Sequence, residues 1–99
     1  MLNITKNANG NALKIILEGR LDTTTAPQLE EQLNSALEGV TDLKFDIAKL
    51  EYISSAGLRV LLASQKMMNK QGSMVISNAS DEVKEIFDVT GFSDILTIE

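Results

Sequence analysis

Two hydrophobic periods alternate along this chain, and that alternation restricts its fold more than any other feature. Stretches with an apolar residue at every second position read as strands, and stretches with apolar residues three and four apart read as helices. An opening strand near Leu2–Lys6 runs into Asn7-Ala8-Asn9-Gly10-Asn11. There Asn9-Gly10 is a hairpin signal, because both residues tolerate positive φ. The following strand, Ala12–Glu18, places Leu13, Ile15 and Leu17 on one face and Lys14 and Glu18 on the other. Ile16 breaks the alternation, which predicts partial cover on both sides.

A polar connector, Gly19–Thr25, leads into a helix. Thr25 and Gln28 have capping-box spacing, and Pro27 suits a first turn, where its missing N–H is harmless. Leu29, Leu33, Ala36 and Leu37 share one face, and Gly39 is placed as the stop. Leu43–Ile47 alternates as a strand, and Ala48–Ser54 connects it to a second helix from Ser55 to Lys70. Leu58, Leu61, Leu62 and Met68 form the apolar stripe of that helix, widened by Val60, Ala63 and Met67. Met74–Ser77 is a short strand, and Ser80 caps a third helix with Val83, Ile86 and Phe87 inward and Gly91 as its end. Ile95–Ile98 reads as a closing strand. The order β-β-α-β-α-β-α-β, with right-handed crossovers after the hairpin, predicts an α/β fold. Its sheet should be mixed but mostly parallel, with about four to five strands and helices mainly on one face. Leu43–Ile47 and Met74–Ser77 should pair in parallel.

Ninety-nine residues fit one domain spanning 1–99. With neither Cys nor His, the chain lacks the usual ligands of tetrahedral zinc, and no cofactor or metal is expected. Fourteen acidic residues against nine basic give a net charge of −5, which disfavours phosphate backbones and anionic lipid. The expected partner is therefore a protein with a basic or mixed face, not nucleic acid. No apolar run approaches the ~20 residues that span a bilayer, and Met1-Leu2-Asn3-Ile4 lacks leader character. A cytoplasmic monomer without membrane insertion is the expectation.

The segment from Leu50 to Leu62 places Ser54, Ser55 and Gly57 where a strand hands over to a helix. First-turn N–H groups are unsatisfied and the macrodipole favours negative charge, so a phosphate on a serine there would be held. The residues alone leave a second reading open, in which Ser54 or Ser55 is simply an N-cap. Gly57 allows a close approach of backbone or partner. Asp22, after a strand end, lies where ligand groups of α/β sheets collect, yet it is equally a solvated turn former. No base is available for Ser55, and Gly19, Gly57 and Gly72 match neither a dinucleotide fingerprint nor a P-loop. An enzyme is not expected.

Taken together, these segments resemble the STAS domain of bacterial anti-sigma-factor antagonists. The likeness rests on Glu18-Gly19-x-Leu21-Asp22 before an amphipathic helix, and on Tyr52-Ile53-Ser54-Ser55-Ala56-Gly57-Leu58 before an aliphatic one. Phe87-Asp88-Val89-Thr90-Gly91-Phe92 is similar to the family's closing helix and turn. The resemblance implies a partner switch. The unphosphorylated antagonist binds an anti-sigma factor that is also an ATP-dependent serine kinase, and the sigma factor is released. Phosphorylation of a serine at the helix start breaks the complex, and a serine phosphatase resets it. Ser55 falls on the acceptor position and Asp22 on the acidic residue beside it, with Ser54, Ala56, Gly57, Leu58 and Arg59 around the site. The family commonly carries Asp where this chain has Ser54. The alternatives are a non-phosphorylated STAS scaffold or a subunit of a transport assembly, and a small phosphocarrier or nucleotide-binding module.

Overall fold

The computed structural model describes residues 2–99, so Met1 of the leader reading lies outside the described residues. Strands β1 (Leu2–Asn9) and β2 (Ala12–Leu21) are followed by helix α1 (Ala26–Ala36) and strand β3 (Asp42–Ile53). Helix α2 (Ser55–Gln71), strand β4 (Ser73–Ser77) and helix α3 (Asp81–Thr90) complete the alternation. The sheet order is β1-β2-β3-β4. β1 and β2 are antiparallel, whereas β2–β3 and β3–β4 are parallel, with Leu43 opposite Met74 as the sequence pattern requires.

One buried cluster joins Leu13, Ile15 and Leu17 of β2 and Phe45 and Ile47 of β3 to residues of all three helices, including Leu29, Leu61 and Phe87. The helices therefore cover a single face. Lys14 and Lys44 on the other face stay exposed, and Ile16 is half-buried there.

Besides β2, which runs on to Leu21 into the stretch expected as a polar connector, three boundaries differ from the sequence reading. The hairpin turn is Gly10-Asn11, one residue later than Asn9-Gly10, because β1 continues to Asn9 and pairs it with Ala12. Only Gly10 takes positive φ, +63°, which suits a type II′ turn with glycine first. Second, β3 runs through the segment expected to be a connector. Its buried residues, Leu43, Phe45, Ile47, Leu50 and Ile53, change from a spacing of two to a spacing of three. Two register shifts against β2 absorb the extra residues and return Leu50 and Ile53 to the covered face. Third, the expected strand Ile95–Ile98 is reduced to one parallel bridge between Ile76 and Ile98. The 3₁₀ turn Phe92–Asp94, with the N–H groups of Ile95 and Leu96 donating to the Phe92 carbonyl, leaves too few residues to pair.

Two helix faces also differ. α1 ends at Ala36, before Gly39, although Leu37 is buried as expected. In α2, Ser64 and Gln65 occupy the covered face, while Ala63 and Met67 line a narrow groove against α1. The Ser64 hydroxyl donates to the Val60 carbonyl (2.9 Å) and Gln65 Nε2 donates to Asn69 Oδ1 (2.8 Å), whereas the buried Gln65 Oε1 has no partner among the described residues. Ser80 caps α3 through its Oγ, which accepts from Val83 N–H, and Gly91 ends that helix at φ +81°.

Candidate functional site

Parallel pairing brings the two chemistry-bearing segments side by side. Leu21 lies opposite Ile53 as the last pair of β2 and β3, and the next residues are Asp22 on one chain segment and Ser54 on the other. The Ser54 N–H donates to the Leu21 carbonyl at 2.8 Å and fastens the two exits together.

Ser54 is the N-cap of α2, with extended backbone and its Oγ accepting from Gly57 N–H at 3.4 Å. Its carbonyl takes the first intrahelical bond, from Leu58 N–H at 2.9 Å. Ser55 is the first helical residue and is exposed, and its hydroxyl has no hydrogen-bond partner among the described residues. The two adjacent serines are thus divided, one held by the backbone and the other facing solvent. Ala56 is half-buried and Arg59 exposed, whereas Gly57 and Leu58 are buried. The last two pack beneath the start of α2. A Cβ on Gly57 would lie 2.6 Å from Leu21 Cγ and 2.9 Å from Ile53 Cγ1, so glycine lets α2 start close against the strand ends.

Asp22 does more than stand in a loop. Its Oδ1 accepts from the Thr24 hydroxyl (2.7 Å) and from the N–H groups of Thr24 (3.0 Å) and Thr25 (3.1 Å). The capping box expected between Thr25 and Gln28 does not form. Thr25 Oγ1 donates to the Arg20 carbonyl instead, and Gln28 Nε2 donates to the Leu2 carbonyl. Asp22 thereby organises the entry to α1. The Thr24 hydroxyl, followed by the two N–H groups, holds its carboxyl below the ordinary value of 3.8. Asp46 on the open sheet face is lowered as well, by the Ala48 N–H first and then by Asn78 and Lys14.

Both carboxylates bind protons less tightly when folded than when unfolded. Their stabilisation is complete above the unfolded value near 3.8 and is lost as pH falls through the lowered folded values. Thermal stability is accordingly expected to decline below about pH 4. Asp22→Asn, which keeps one acceptor oxygen, should flatten part of that decline and change the melting temperature little at neutral pH. Thermal melts of both proteins across the acid range check this. Identical acid slopes would show that the Asp22 hydrogen bonds do not persist in solution.

Arg20 and Tyr52 were not singled out from the sequence. They pair across β2 and β3 only because of the register shift after Gly19, and the Arg20 guanidinium lies 4.6 Å from the centre of the Tyr52 ring. The signal was the change of spacing along β3. Among the described residues no group of three or more Asp and Glu has the arrangement of a metal site. No helix among the described residues is long and apolar enough to cross a membrane.

An α/β layer with an exposed serine opening the helix after its third strand defines the class. The STAS domain family profile matches residues 3–99, and the chain belongs to that family. It is 34% identical over 98 residues to the anti-sigma-B factor antagonist of Bacillus subtilis (strain 168), covering 98% of this chain and 90% of that protein. Its fold is that of SpoIIAA. The unphosphorylated SpoIIAA structure superposes with a TM-score of 0.75 at 17% identity, covering 100% of this chain and 87% of that one. The phosphorylated SpoIIAA structure from Bacillus gives 0.75 at 18% identity, over 100% and 91%.

Proposed function

We propose that this protein is an anti-sigma-factor antagonist, switched by phosphorylation of Ser55. Unmodified, it binds an anti-sigma factor that is also a serine kinase, and the sigma factor is set free. A serine phosphatase restores the unmodified form. The protein acts by binding, not catalysis, as a single cytoplasmic domain and a monomer. The observation that carries this reading is the division of labour at the start of α2, where Ser54 caps the helix and Ser55 presents a free hydroxyl. The named relative supports it, being an anti-sigma-B factor antagonist similar over nearly the whole chain.

The partner face comprises Ser55, Arg59, Ala56, Ser54 and Asp22, with Gly57 and Leu58 beneath it. A phosphate at its centre adds about −2 charge to an already acidic surface and must be desolvated in the complex. Repulsion and desolvation act together, so no refolding is required. Added to a preformed complex of anti-sigma and sigma factor from the same organism, the unmodified protein should release the sigma factor, and the phosphorylated protein should not. Release by neither form would remove the reading. A second reading, a STAS scaffold or transport subunit that takes up no phosphate, draws on Ser54 standing where the family commonly carries Asp.

A further inference from the structure

Arg59 is exposed and stands four residues along α2 from Ser55. Helical side chains lean toward the N-terminus, so a long one covers the turn before its own Cα. Cβ atoms four residues apart are about 5–6 Å from one another, a gap that an arginine stem spans easily. Among the described residues the ion pairs are Lys14–Asp46 and Lys44–Glu99, and Arg20 is engaged with Tyr52. Arg59 enters no such contact. It lines an open cleft of about 210 Å³ between the starts of α1 and α2, together with Thr23, Pro27, Glu30 and Ala56. Charged residues near the same ends of the neighbouring elements are Asp22 before α1, Glu30 and Glu31 on α1, Glu18 and Arg20 on β2, and Lys49 and Glu51 on β3, while α2 carries Lys66 and Lys70 toward its far end. Of the cations on α2, only Arg59 is one turn from Ser55, Lys66 and Lys70 being eleven and fifteen residues along.

We infer that Arg59 is a positioning residue for a phosphoryl group on Ser55, its guanidinium closing over the phosphate oxygens from one turn along the helix. The inference rests on Ser55 being the acceptor proposed above. The planar fork of arginine matches two phosphate oxygens at once, which a lysine ammonium does not. Phosphorylation then changes the partner face twice. It adds negative charge, and it withdraws a cation that the unmodified protein offers to an acidic group of its partner. The acid flank of the cleft at Glu30 loses its neighbour in the same movement.

The test places phosphoserine at position 55 during synthesis, so that it needs no kinase. Phosphorus NMR then follows the second ionisation of the phosphate between about pH 4 and pH 8, around its ordinary value near 6. Asp22, Glu30, Glu51 and Arg20 are common to all variants and cancel in the comparison. The ionisation should lie lower in the wild type than in Arg59→Gln by about 0.2–0.4 unit, the size set by a surface pair at this spacing. Arg59→Lys should fall between them. Coincident curves for wild type and Arg59→Gln, with circular dichroism showing both folded, would overturn the inference. Failure of a kinase to modify Ser55 would strike the switch and not this result, so the two are distinguishable.

Discussion

Phosphorylation of Ser55 is expected to weaken binding to the anti-sigma factor by more than about a hundredfold, corresponding to roughly 3 kcal/mol. The size follows from where the charge is placed. Ser55 is exposed at the outset of α2, Asp22 follows the paired end of β2 beside it, and Glu30 lines the cleft shared with Ala56 and Arg59. A dianion there must lose water on docking and meets a surface whose net charge is already −5. Ser55→Asp supplies about half the charge and should cost roughly tenfold or more. Ser55→Ala removes only a hydroxyl that has no partner among the described residues, so its affinity should stay within about twofold of wild type. Calorimetric titration of the three forms separates charge from loss of the hydroxyl. Equal affinities for Ser55→Asp and Ser55→Ala would remove the electrostatic part of the account.

The largest effect on stability is expected at Gly72, far from that site. A Cβ added to Gly72 would overlap the Thr41 carbonyl, which is backbone and cannot rotate away. That carbonyl also accepts from Ser73 N–H at 2.9 Å, and Thr41 N–H donates to the Asn11 carbonyl at 2.9 Å. Gln71 Nε2 donates to the Leu37 and Val40 carbonyls beside it. The end of α2, the loop before β3 and the opening hairpin are therefore tied together at one point. The cause is steric, since the Gly72 φ of 174° is ordinary extended backbone. Gly72→Ala should cost about 3 kcal/mol, the upper part of the overpacking range, and lower the melting temperature by roughly 10–20 °C. Gly57→Ala offers the contrast. Its clash is with Leu21 and Ile53 side chains, which can shift, and alanine regains about 1 kcal/mol of helix propensity. A net loss near 1 kcal/mol is expected there. Gly72→Ala melting with the wild type would show that this junction is looser than its hydrogen bonds imply.

The parts of the fold legible in the sequence were those with an unbroken period. Leu13, Ile15 and Leu17 alternate strictly, and β2 appears where they predict. Ser80 and Gly91 delimit α3 because each end has one favoured solution, a side-chain acceptor at the start and left-handed backbone at the stop. Where the period changes, as from Ile47 to Leu50 to Ile53, the sequence reads as a connector, although bulges let the strand continue. Ile95–Ile98 shows the reverse case. Its apolar run satisfies a strand pattern, but turn hydrogen bonds to Phe92 win and leave a single bridge.

The site divides in the same way. Ser54 and Ser55 were visible as a helix start, and the backbone decided which one caps it. Asp22 was visible as a turn former or ligand group, but the sequence did not show that its Oδ1 accepts hydrogen bonds from Thr24 and Thr25. Those bonds depend on the chain turning back on itself after Leu21, which no periodicity reports. The Arg20–Tyr52 pair depends on a register shift and was equally hidden.

The most direct test of the switch is the reaction of the wild type, Ser54→Ala and Ser55→Ala with the kinase of the same organism and ATP, read by intact mass. One phosphate should appear on the wild type and on Ser54→Ala, and none on Ser55→Ala. Phosphate on Ser55→Ala but not on Ser54→Ala would put the acceptor one residue earlier, and an unmodified wild type would contradict the switch itself.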